Sequence, residues 1–61
     1  MMTRREADQR AALNNCTIRR VPGETEYEVY HNDWTRKQRE ARAYFTDDLE
    51  DAALTTGKML P

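Results

Sequence analysis

Apolar positions along the chain recur with two spacings, and the change between them is sharpest in the last third. Over residues 41–45, Ala41, Ala43 and Phe45 alternate with Arg42 and Tyr44. That is the two-residue repeat of a strand with one face turned inward. From Leu49 the repeat lengthens: Leu49, Ala52, Ala53, Thr56 and Leu60 follow the stripe of an amphipathic helix. Thr46 stands at the change of period and is placed to cap the free N–H groups of the helix start. Asp47 competes for that role, because Glu50 follows three residues later. Gly57 stops the stripe, and Pro61 cannot extend it.

Earlier in the chain, Thr3-Arg-Arg-Glu6 is a capping box and predicts a helix from Arg4 to about Asn14. Ala7, Ala11 and either Leu13 or Asn14 form its inner stripe. These small residues let the helix lie close to a sheet. Asn14-Asn15 offers a left-handed exit. Cys16 and Ile18 then alternate with Thr17 and Arg19, and Tyr27 and Val29 alternate with Glu26, Glu28 and Tyr30. Two strands joined through Pro22-Gly23-Glu24 make an antiparallel hairpin. Residues 34–40 are read as a polar loop leading into the third strand. The competing reading is a short helix capped by Thr35 and Gln38.

The fold class that results is α+β, in the order α-β-β-β-α: a three-stranded antiparallel sheet with two helices on one face. Residues 1–61 make one small domain. The outer sheet face is expected to carry Arg19, Glu26, Glu28, Tyr30, Arg42 and Tyr44. Basic outer strands then flank an acidic middle one, which favours the sheet order 1-2-3.

Composition adds two constraints. A chain this short buries only about 60% of its unfolded surface, so its core is small and a dimer that buries more surface is expected. The one cysteine forms no internal disulfide and no zinc framework, which fits a reducing, cytoplasmic setting. No apolar run reaches the length of a signal sequence or membrane span. The net charge is −1, yet it comes in alternating blocks. Five arginines face Glu6 and Asp8 in residues 1–20; Glu24, Glu26, Glu28 and Asp33 follow; then come Arg36, Lys37, Arg39 and Arg42; then Asp47, Asp48, Glu50 and Asp51. Such blocks pair with each other in a compact fold and differ from the one-signed surface of a dedicated nucleic-acid binder.

The segment Ala43-Tyr-Phe-Thr-Asp-Asp-Leu-Glu-Asp-Ala52, followed by Thr56-Gly-Lys-Met59, resembles the C-terminal signature of short uncharacterised bacterial proteins. The resemblance covers the last third of the chain best. It implies an Arg-rich first helix and a hairpin, and no activity. The α-β-β-β-α order is also similar to double-stranded-RNA-binding domains and to small toxin ribonucleases. The lysine cluster of the former is replaced here by Asp47, Asp48, Glu50 and Asp51. The Gly-Ser-His segment of the latter has no counterpart around His31. Topology alone does not carry function.

Each candidate for chemistry has a plainer reading beside it. His31 lacks an orienting carboxylate distant in sequence and reads as an exposed strand-end histidine. Cys16 follows a helix C-terminus, whose negative end disfavours a thiolate, and reads as a small core residue. The four acids fan around one helical turn and read as capping and dipole complementarity rather than a metal site. No cofactor is expected. Arg36, Lys37, Arg39 and Arg42 beside Trp34 are the nucleic-acid candidate, since cations meet phosphates and a ring stacks on a base. Trp34, Tyr30 and Tyr44 form either an aromatic binding patch or, for Trp34, a cover over the hairpin edge. The leading expectation is a small non-enzymatic module that binds a protein partner, or itself, through an open sheet face bearing Arg19, Tyr30, Trp34, Arg42 and Tyr44. The alternative is an RNA- or DNA-binding accessory protein using residues 36–42.

Overall fold

A computed structural model describes residues 1–61. The first helix, α1 (Arg4–Leu13), starts where the capping box places it. Thr3 Oγ1 accepts the Glu6 N–H at 3.2 Å, and the Glu6 carboxylate accepts the Thr3 N–H at 3.4 Å. Asn15, at φ 55°, makes the left-handed exit. Strands β1 (Cys16–Arg20) and β2 (Tyr27–His31) pair antiparallel, with Ile18 opposite Val29 and Arg19 opposite Glu28. The turn between them uses Gly23 at φ +77°, a conformation that other residues adopt only with strain.

The segment expected to be a loop is a helix. Thr35 and Gln38 form a second capping box, with N–H groups accepted at 3.2 and 2.9 Å, and α2 runs Arg36–Arg42. Strand β3 (Tyr44–Thr46) therefore begins three residues later than its alternation suggested, and Ala41 and Arg42 belong to the helix. The delay also reverses its faces. Tyr44 lies opposite Val29, and Phe45 lies opposite Glu28. Opposed residues share a face, so Tyr44 stands on the α1 side and Phe45 on the other, the opposite of the expectation. The last helix, α3 (Leu49–Thr56), is capped by Asp48 rather than Thr46 or Asp47: Asp48 Oδ1 accepts the Glu50 N–H at 2.9 Å. Thr46 acts one step earlier, its hydroxyl accepting the Asp48 N–H at 3.2 Å.

The element order is α-β-β-β-α with one short helix inserted before the third strand, and the sheet order is 1-2-3. Helices α1 and α3 pack on one face. The inserted α2 lies on the other, because its Arg39 reaches Glu28 and Tyr30, which point away from the core. The core consists of Ala7 and Ala11 of α1, Ala52 and Ala53 of α3, and Cys16, Ile18 and Val29 of the sheet. Small residues permit close approach of helix and sheet, at the cost of little apolar area. Asn14, not Leu13, takes the next inward position of α1, donating from Nδ2 to Thr56 Oγ1 at 3.0 Å. Leu13 and Leu60 are exposed; Leu60 lies past the end of α3.

Candidate interaction site

The five residues expected on one open face divide between two places. Arg19 and Tyr30 stay on the outer sheet face, where they surround Glu28. Arg19 Nε donates to Glu28 Oε1 at 3.3 Å from the neighbouring strand. Arg39 of α2 donates Nη2 to Oε1 at 2.7 Å and Nε to Oε2 at 3.2 Å. Its guanidinium also sits 3.8 Å over the Tyr30 ring. Glu28, expected in solvent, is thereby buried. Its hydrogen bonds from Arg39 hold its carboxyl below the usual range against the opposing effect of burial, with Arg19 adding to the same direction. The same contact raises the Arg39 pKa. This face is thus partly closed by α2, and two of its cations are committed to one carboxylate.

Trp34, Arg42 and Tyr44 come together elsewhere. With Lys58, Met59 and Leu60 they line a cleft of about 380 Å³ between the end of α2, β3 and the C-terminal residues. The Trp34 indole Nε1–H donates to the Leu60 carbonyl at 2.6 Å, which fixes the tail across the cleft. Trp34 is half-buried, yet it stands outside the core cluster. The Tyr44 hydroxyl donates to Asp51 Oδ2 at 2.6 Å. That bond raises the phenol pKa, and together with Thr46 it lowers that of Asp51, which Lys58 depresses further. Arg42 and Lys58 make no ion pair. The cleft therefore combines two cations with aromatic and aliphatic surface, which suits an acidic and partly apolar contact.

The four cations proposed for nucleic acid are unequally free. Arg39 is bound to Glu28, and Arg36 lies 3.7 Å from Glu40 in an exposed pair of the kind that contributes little. Lys37 and Arg42 remain unpaired.

The remaining candidates sit in the fold as follows. Cys16 is buried, its thiol facing the Asn14 carbonyl at 3.3 Å, and burial raises its pKa. His31 is buried rather than exposed, because its strand position turns it to the helix side opposite Cys16. Its Nδ1 accepts the Asp33 N–H at 3.1 Å, which places the proton of the neutral ring on Nε2. No three His, Cys, Asp or Glu side chains converge as a metal site would need. Sequence reasoning missed Glu28 as a hub, and it missed Lys58 and Met59. The signal for the first was Arg39 within a capped helix; for the others, it was their position just past the Gly57 stop.

No protein-family model, curated protein or solved structure matches this chain. No helix is long and apolar enough to cross a membrane.

Proposed function

We propose that this chain is a small non-enzymatic interaction module that binds a protein partner through the cleft built by Trp34, Arg42, Tyr44 and Lys58. One observation carries the reading: a cleft with aromatic and aliphatic walls holds two cations, Arg42 without an acidic partner and Lys58 close enough to Asp51 to lower its pKa but not in an ion pair with it. The allocation of apolar residues supports it. Alanines fill the core, while Phe45, Leu54 and Leu60 are 51%, 63% and 75% exposed. The buried thiol and the committed Nδ1 of His31 favour binding over catalysis. A single free cysteine supports a cytoplasmic setting, and the tail's resemblance supports a bacterial one.

The test is a paired substitution, Arg42→Glu with Tyr44→Ala. Arg42 makes no ion pair, whereas Tyr44→Ala removes the hydrogen bond to Asp51, so Arg42→Glu alone is measured beside the pair. Loss of partner pull-down and of self-association, with unchanged circular dichroism, is the expected result. Binding equal to that of the unaltered chain overturns the reading. The nucleic-acid alternative predicts a salt-sensitive gel shift that Lys37→Ala with Arg42→Ala removes. With Arg39 committed to Glu28, it stands second.

A further inference from the structure

A second cleft lies at the other end of α3. It measures about 440 Å³ and is lined by Met1, Met2, Tyr27 and Leu49 with Asp47, Asp48 and Glu50. Its chemistry is the complement of the first: aliphatic walls again, with carboxylates in place of cations. Asp48 is occupied as the cap of α3, but Asp47 and Glu50 make no ion pair. One chain therefore carries an acidic, apolar end without ion pairs and a basic, apolar end whose Arg42 is unpaired and whose Lys58 has only the weaker attraction of Asp51. The eight residues of α3 separate the two, a distance of about 12 Å along its axis.

Resting on the reading of the Trp34 cleft as a binding site, we propose that its occupant is the acidic end of a second copy of this chain. Asp47 and Glu50 of one copy face Arg42 and Lys58 of the next. Met2 and Leu49, half-buried against their own core, turn their remaining exposed surface to Trp34 and to the likewise half-buried Met59. Two different patches meet, so the contact is head-to-tail, and it leaves one free end of each kind. Assembly continues until the rotation between copies closes a ring, or else grows as a filament. The charges set the polarity of the contact, because tail-to-tail and head-to-head pairs bring like charges together.

Three arms test this by light scattering after gel filtration. The unaltered chain gains apparent mass with concentration, and the gain disappears in 1 M salt, where charges are screened beyond about 3 Å. Arg42→Glu with Lys58→Glu, and separately Asp47→Lys with Glu50→Lys, each raise the half-association concentration on the order of tenfold or more. An equimolar mixture of the two variants associates again, since each supplies the end the other lost. Circular dichroism reports whether each variant is folded, and the salt arm on the unaltered chain stands if one is not.

A chain that stays monomeric at millimolar concentration and low salt overturns the proposal. So does association that ignores both reversals, or a mixture no better than its components. A monomeric chain whose Arg42→Glu variant loses a heterologous partner overturns self-association and leaves the binding site standing. Association that survives the Arg42 and Tyr44 substitutions overturns both.

Discussion

Arg39 grips Glu28 with two nitrogens, at 2.7 and 3.2 Å, and this one side chain fastens a helix without buried residues to the sheet. Removing it leaves a buried carboxylate with one remaining cation, Arg19. Arg39→Ala is expected to destabilise the fold by about 2 kcal/mol, as for loss of a hydrogen-bonded charge. Arg39→Lys restores only part, because an ammonium cannot span both oxygens. Denaturant titration measures the loss. Amide exchange across residues 36–42 is expected to quicken more than across β1.

The same pair sets an acid limit. The folded-state pKa of Glu28 lies below its ordinary value of 4.5. Its ionised form therefore contributes stability in full above that pH, and the contribution drains away as the pH falls through the lowered value. The stability gap between the unaltered chain and Glu28→Gln is expected to be wide at about pH 7 and narrow at about pH 3. An equal gap at both would refute the assignment.

Tyr44 offers a spectroscopic check on the strand register. Its hydroxyl donates to Asp51, so its phenol titrates above the ordinary 10.0. Asp51→Asn is expected to bring the titration down, followed by phenolate absorbance with the other tyrosines replaced by phenylalanine. If Tyr44 instead pointed to the outer face, Asp51→Asn would leave it unmoved.

The core is tested at its tightest points. Ala11 is 1% exposed, where α1 meets its neighbours. Ala11→Leu forces the layers apart and costs about 1–3 kcal/mol. Val29 is fully buried, and Val29→Ala is expected to cost about 2 kcal/mol. Since a domain of this size has only about 3–5 kcal/mol in hand, either change lowers the melting temperature steeply.

Much of this architecture was legible locally. Thr3 with Glu6, the Asn15 exit and the inward face of Cys16 and Ile18 in an antiparallel hairpin all follow from short-range rules. The charge blocks led to basic strands on both sides of an acidic one: Arg19 opposite Glu28 meets that on β1, whereas Arg42, expected on the third strand, lies in α2. The misreading began at Thr35, whose capping box was visible but was outweighed by the alternation of residues 41–45. That alternation runs through the last turn of α2, where Ala41 and Arg42 are helical. Beginning the strand at Tyr44 then turned Phe45 outward and Tyr44 inward. Glu28 went unrecognised as a hub because its second cation comes from α2, a helix absent from the expected fold. The cleft escaped for a similar reason: Lys58 and Met59 join Trp34 only once the tail folds back and Leu60 takes the indole N–H.

The molecule measures 31 × 27 × 14 Å. Its short dimension holds the sheet, the tier of α1 and α3 packed on it through alanine methyls, and the short α2 over part of the other face. Close-packed matter of that kind transmits strain instead of absorbing it. A ligand that presses on the broad side bearing α2 is therefore only one sheet away from α1 and α3. Sites on opposite sides of such a slab are parted by a single sheet, even where no residue is common to both.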